Sequence, residues 1–446
     1  MEVHITSKQL VKPSSSKLHL LEPFKLSLLD QLAPRKYTPG VFFYAKPSDS
    51  DIDSSQFSEQ LKQSLSKALA QFYPASGRLK KNLFITDFDE GVPYVETRVK
   101  GRLSDFIGQT QNIEAMNRLL PCRPFCYIED STAPQLAVQL NIFDCGGIAL
   151  ALCAFHKVFD GTTVSAFMNS WAAFSRGSNG EIPNPGLLGA SSRFFPPIES
   201  MPDNADVKSL FFNDVRRKIT RTYVFDANAI STLKMKAKGK SLEHPSRVLA
   251  LSAFLWKHGI QASRSVSATL KPAILCQPVN IRPRLKPQLP IYSIGNLYSM
   301  AISMYSPVGE DIDLSELGVL VREATQSAPN DPQVVLQGFK TMTDGLSHLA
   351  EMVSKGDADF FILSSLLNTL DADEDFGWGK PTLISTPAVD SRNRELRNWF
   401  YLKKAKQHKA IEVWITLSDK EMDFLEHDPE FLAFTSPKSC FDKSKI

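Results

Sequence analysis

Several large protein classes are set aside by what this chain does not contain. No run approaches the roughly 20 consecutive apolar residues that a membrane-crossing helix needs, so membrane insertion is not expected. The opening residues, MEVHITSKQLVKPSSSK, hold no apolar h-region, and the expectation is a cytoplasmic protein without a signal peptide. Cysteine is scarce, with six in 446 residues, at 122, 126, 145, 153, 276 and 440. Cys122 and Cys126 form a lone C-x3-C with no second pair and no His at zinc spacing, so no metal site is expected and the thiols read as reduced. An excess of one charge is missing too. Lys and Arg number 51 against 48 Asp and Glu, a net +3, which is too small to argue for a nucleic-acid partner. The local lysine clusters, Lys234 to Lys240 and Lys403 to Lys406, read as solvated faces or, alternatively, as attraction for a phosphate-bearing substrate. No Gly-x-Ser-x-Gly elbow supplies a serine nucleophile.

What is present is an ordinary globular composition, 43% apolar and 22% charged, on a chain long enough for two domains of roughly 200 residues. Leu61, Leu65, Leu69 and Phe72 recur at helical spacing until Pro74 stops them. Alternating strand patterns occupy 83–86, 94–99 and 136–143. From Gly177 to about Asp214 the chain turns to Gly, Pro, Ser and Asn without periodicity, the signature of a linker. A comparable order follows: a strand at 219–225, a Lys-rich helix from Ala229, and a helix at 246–260 carrying Trp256. Strands are then expected at 273–279, 295–302, 359–367, 382–385 and 412–417, with two helices across 314–353 and a last one from Asp419. The reading is α/β, two related domains with a cleft between them: 1–176, a linker at 177–214, and 215–446.

One stretch concentrates the chemistry. Ala149 to Phe155 is apolar at strand length and delivers His156 to the strand's end. The loop Lys157-Val158-Phe159-Asp160-Gly161 follows, and Thr162 is the expected N-cap of a helix through Val164, Phe167, Trp171 and Phe174. Of the eight histidines only His156 has an Asp four residues on. An imidazole there can serve proton chemistry in a cleft, or simply bond a neighbouring carbonyl in a βα loop. Asp160 invites a His–Asp dyad, although a tight Asp-Gly turn would tend to aim its carboxylate elsewhere.

A second motif, Asp375-Phe376-Gly377-Trp378-Gly379-Lys380-Pro381, sets two glycines about a tryptophan in what reads as a tight turn. Its Asp-Phe-Gly is not that of a protein kinase, because no His-Arg-Asp loop and no Gly-x-Gly-x-x-Gly accompany it. Together HKVFDG and DFGWG make the chain resemble the BAHD acyltransferases, plant enzymes that move acyl groups from coenzyme A to alcohols or amines. QFYPASGRL at 71–79, PVNIRPRLKPQLP at 278–290, IGN at 294–296 and IEVWITLSDKEMDFLEHD at 411–428 extend the likeness nearly end to end. LSLLDQ at 26–31, Cys145-Gly146-Gly147 and DFGWGKP look closest to the branch of alkaloid and terpenoid O-acetyltransferases.

That resemblance implies two chloramphenicol-acetyltransferase-like domains of mixed sheet and helices with a channel between them, and a monomer. It implies acyl-CoA, acetyl-CoA foremost, as co-substrate with no bound cofactor, and a small-molecule alcohol as acceptor. His156 would be the general base of a direct transfer, and Asp375 belongs with the family's active-site motif while also reading as a turn residue. Asp160 would bridge to an arginine of the second domain, Arg282 first and Arg284 second. Gly161, Phe376, Gly377, Trp378 and Gly379 would be structural, and Ser246 and Arg247 would meet the coenzyme A phosphates at a helix start. A hydroxycinnamoyl or other longer acyl donor, and a catalytically silent binding protein, are the alternatives. Ser364-Ser365-Leu366 and Asp371-Ala372 depart from the branch, replacing a Trp and two aromatics. The loss enlarges and acidifies that wall, and an amine-bearing or bulky polycyclic acceptor is the expectation.

Overall fold

The computed structural model describes residues 2–46, 54–107, 113–125, 127–129, 132–178, 189–199, 218–290, 292–307, 309–329, 331–337, 339–367, 374–385, 397–405 and 409–437. Most of the expected linker, and both Asp371 and Ala372, lie outside those residues. The first half runs β1 (Val3–Val11), β2 (Phe24–Lys25), α1 (Leu28–Leu32), β3 (Tyr37–Tyr44), α2 (Ser54–Gln71), β4 (Arg78–Lys80) and β5 (Phe84–Thr86). It continues through β6 (Val92–Val99), β7 (Leu136–Phe143), β8 (Ile148–Phe155) and α3 (Gly161–Ser175). α1 starts on a capping box in which Ser27 and Asp30 satisfy each other's backbone amides. α2 buries Leu61, Leu65 and Leu69 and stops three residues before Pro74.

The second half holds β9 (Lys218–Phe225), α4 (Ala227–Lys236), α5 (Arg247–Ser267), β10 (Ala273–Asn280), β11 (Tyr298–Tyr305) and α6 (Leu314–Gln326). After these come α7 (Pro332–Gln337), α8 (Phe339–Lys355), β12 (Asp359–Ser365), β13 (Leu383–Ser385) and β14 (Asn398–Lys404). β15 (Ile411–Ser418), α9 (Asp419–His427), α10 (Pro429–Phe434) and β16 (Ser436–Pro437) complete it. Two expectations are corrected by proline. Pro332 opens α7, so 314–353 carries three helices rather than two. Asp428 caps α10 with Pro429 at its first position, so the last helix is split.

Two mixed sheets result. The first has the order β1-β6-β7-β8-β3-β13, and the second β11-β10-β12-β14-β15-β9-β16. β7 and β8 are buried at every residue, as continuous apolar runs are when a sheet is covered on both faces. The halves interlock. β13 lies past the expected boundary yet pairs with β3 in the first sheet, Leu383 opposite Phe43. Ile294 and Phe376 join the first half's core as well. Among the described residues no helix is long and apolar enough to cross a membrane.

Gly77, in QFYPASGRL, is where the turn after α2 closes on β5. Its φ of −85° suits any residue, but an added Cβ would stand 2.5 Å from both the Ile85 side chain and the Thr86 carbonyl oxygen. Gly77→Ala is therefore expected to destabilise the protein by about 1–3 kcal/mol, read from urea unfolding, and an unchanged midpoint would refute the close approach.

Candidate active site

The register of β3 on β8, Tyr37 opposite Phe155, brings Lys36 and His156 to the same end of the first sheet. The His156 amide donates to the Lys36 carbonyl at 2.9 Å. Lys157, the next residue, is buried and donates to the carbonyls of Asp30 (3.2 Å) and Gln31 (2.8 Å), holding α1 against the loop. The cap of α3 is Asp160 rather than Thr162, because the Asp160 carboxylate reaches the Thr163 amide at 2.8 Å.

Asp160 faces away from the imidazole. Its oxygens accept from Arg282 Nη1 at 2.6 Å and Nη2 at 3.1 Å, and from the Leu297 amide at 3.2 Å. Arg282 has no exposed surface, and it also donates to the carbonyls of Ser293 and Gly295. Arg284 is engaged elsewhere, at the Thr325 carbonyl.

The partner of His156 is Asn296, which local sequence reasoning did not assign. His156 Nδ1 stands 3.0 Å from Asn296 Oδ1. Asn296 Nδ2 is committed to two acceptors, the His156 carbonyl at 2.7 Å and Asp30 Oδ1 at 3.0 Å. Flipping the amide would turn its oxygen onto both, so the oxygen must face the ring. Nδ1 therefore carries the proton, and Nε2 keeps its lone pair. Asp30 is buried and takes donors from the Asn296 amide (2.7 Å), the Ser27 amide (2.9 Å) and the Ser27 hydroxyl (2.7 Å) as well. The available signals were an acidic residue inside the apolar LSLLDQ and the IGN tripeptide.

His156 is half-buried, its ring opening onto a cavity of about 200 Å³. Lys36, Thr38, Tyr298, Ser364 and Trp399 share its lining. Burial first, and the neighbouring Lys36 charge second, push the imidazole pKa down to about 4. A second cavity of about 290 Å³ adjoins it, with Pro34, Tyr298 and Met300 common to both.

The DFGWG turn is placed differently. Gly377 and Gly379 adopt φ of +108° and +96°, which only glycine takes readily. Asp375 Oδ1 accepts from both their amides at 2.8 Å, and Arg176 donates to the Asp375 carbonyl. Phe376 is buried edge-on against Trp171, and Trp378 packs on Tyr44 and Phe57. Arg176 follows the last residue of α3, a 15-residue helix whose first turn is beside Asp160. Asp375 thus lies at the C-terminal end of α3, roughly 20 Å by helix rise from the turn that Asp160 caps. Of the two readings given to Asp375, active-site motif and turn residue, the hydrogen bonds it makes are those of a turn residue.

Ser246 and Arg247 are exposed at the N-terminus of α5, Ser246 Oγ capping the Leu249 amide at 3.1 Å. They do not line the His156 cavity. Ser252, further along α5, accepts from Gln277 of β10 at 3.0 Å, and Pro278 and Asn280 of the same strand do line it. An exposed arginine at the start of a 21-residue helix fits a phosphate.

Residues 1–432 match the family model described as the transferase family. The chain is 34% identical to akuammiline synthase 2 of Alstonia scholaris, over 98% of this chain and 97% of that one. It is 33% identical to stemmadenine O-acetyltransferase of Catharanthus roseus, over 96% and 97%. The crystal structure of vinorine synthase superposes with a TM-score of 0.81 at 29% identity, covering 99% of this chain and 100% of that one. The mixed-sheet, two-domain architecture expected from the resemblance is that of this neighbour.

Two outcomes are expected from this geometry. Asp160→Ala leaves Arg282 buried and uncompensated and should cost about 3–5 kcal/mol of stability, measured by urea unfolding; a fully stable but inactive variant would instead give Asp160 a chemical role. Protonating Nε2 removes the lone pair, so an activity that needs it is lost as pH falls through the lowered pKa, about 4. A pH profile of kcat/KM should stay level below the ordinary histidine value of about 6.5, and an acidic limb at that value would contradict the downward shift.

Proposed function

The chain belongs to the BAHD acyltransferases, and from that premise we propose that it moves an acyl group, acetyl foremost, from acyl-CoA to a hydroxyl of an alkaloid or terpenoid metabolite. The observation that carries the reading is the unprotonated Nε2 of His156 at the wall of a cavity, its tautomer set by Asn296. In this mechanism Nε2 takes the proton of the acceptor hydroxyl as the oxygen attacks the thioester carbonyl. The tetrahedral oxyanion collapses, the carbon–sulfur bond breaks, and the Nε2 proton passes to the departing thiolate. Ester and coenzyme A leave, and no acyl-enzyme forms. The developing imidazolium is stabilised by the Nδ1–H bond to Asn296, which strengthens as the ring becomes charged. Asp160 and Asp375 serve the frame, and Arg247 with the Ser246 end of α5 meets the coenzyme A phosphates.

A longer acyl donor is a second reading, favoured by the apolar cavity that adjoins the first across Tyr298 and Met300. A panel of acyl-CoAs against alcohols separates the two, the reading being that acetyl-CoA gives the highest kcat/KM. His156→Ala should lower kcat at least 100-fold, as the loss of a general base does, while the folded protein still binds coenzyme A in calorimetry. Retained turnover in that variant would defeat the mechanism, and an absence of turnover with every donor would favour a silent binding protein.

A further inference from the structure

The His156 cavity contains an ionisable side chain that acyl transfer as described does not use. Lys36 precedes β3 and is 2% exposed. Its Nζ lies 4.0 Å from the centroid of the Trp399 ring and 5.5 Å from that of Phe125. Among the described residues no carboxylate and no hydrogen-bond acceptor meets it. Two aromatic faces offset part of the cost of burying an ammonium, but an amine needs acceptors that this wall does not provide. Two residues along the same edge, Thr38 Oγ1 is buried without a partner and lines the same cavity. A donor pair is left open toward the space where substrate must sit.

We propose that Lys36 is a specificity-determining residue whose ammonium, with the Thr38 hydroxyl, receives a carboxylate carried into the cavity by the substrate. The proposal rests on the acyl-transfer reading above. The charge inventory of the lining favours an anion. Asp160 is the one carboxylate among the described lining residues, and both its oxygens are taken by Arg282 and backbone amides. Nothing there would balance a cationic guest. An amine-bearing acceptor, expected from the departures at 364–366 and 371–372, would meet Lys36 as a like charge. Burial also pushes the Lys36 pKa down to about 7, so an arriving carboxylate would restore a full charge by drawing a proton onto the amine.

The carboxylate can come with the acceptor or with the acyl group, and the purified enzyme separates these sources. In one arm, hydroxy acids and their methyl esters compete as acceptors with acetyl-CoA as donor. In the other, malonyl-CoA and acetyl-CoA compete as donors to a neutral alcohol. The expected result is a preference of tenfold or more for the acid in one arm. Lys36→Met should reduce kcat/KM for that acid roughly 30-fold or more relative to its uncharged counterpart, mostly through KM, and Lys36→Arg should restore part of the preference. Turnover without acid preference in either arm overturns the proposal while leaving acyl transfer standing. So does a Lys36→Met variant that lowers acid and ester alike. If that variant does not fold, the acid-to-ester comparison in the unaltered enzyme decides. No turnover with any donor and acceptor would sink the acyl-transfer reading and this proposal with it.

Discussion

A guanidinium without exposed surface joins the two halves of this protein, and the surroundings of the His156 imidazole depend on it. Arg282 carries five N–H groups, and they meet Asp160 on the loop after β8 and the carbonyls of Ser293 and Gly295 on the strand approach of the other half. Burying such a pair is tolerated only because the hydrogen bonding is so complete. Two consequences follow from one contact. Asp160, four residues beyond His156, is pulled away from the imidazole. Asn296, one residue beyond Gly295, is held against the imidazole instead. The arginine therefore removes one polar partner from the imidazole and installs another.

The substitution of an amide for a carboxylate matters electrostatically. A carboxylate beside Nδ1 would raise the imidazole pKa, whereas a neutral amide fixes the tautomer without adding charge. The carboxyl that anchors Asn296 lies one hydrogen bond further out, on Asp30, whose pKa burial pushes up and whose oxygens Ser27 shares. The arrangement keeps the ring neutral and oriented at once, with burial and Lys36 both opposing its protonation.

Much of this was readable from local pattern and some of it was not. The apolar run into His156 announced its strand because a continuous stretch of buried residues needs no partner to be recognised, and the DFGWG glycines announced a turn that positive φ requires. The Asp160 cap was misplaced by two residues, since Asp and Thr are both good N-caps and only the reach of the carboxylate to the Thr163 amide distinguishes them. Asn296 meets His156 from 140 positions away, and no periodicity encodes a contact between halves. Asp375 shows the opposite case. Its motif is distinctive, but the length of α3 sets it at the opposite end of that helix from the Asp160 turn.

Lys36 and His156 are best understood together. Burial lowers the pKa of both, and the Lys36 charge is the second largest influence on the imidazole after burial. A guest that neutralises the ammonium would lift that influence, and the imidazole would become a stronger base in the complex than in the free enzyme. A proton acceptor is most effective when its pKa approaches the working pH, so the empty site would hold a weak base that its own substrate strengthens. Under the reading in which Lys36 receives a carboxylate, recognition and chemistry are linked through one charge. An uncharged analogue would then lose its anchor in binding and part of the basicity of His156 in the transfer step.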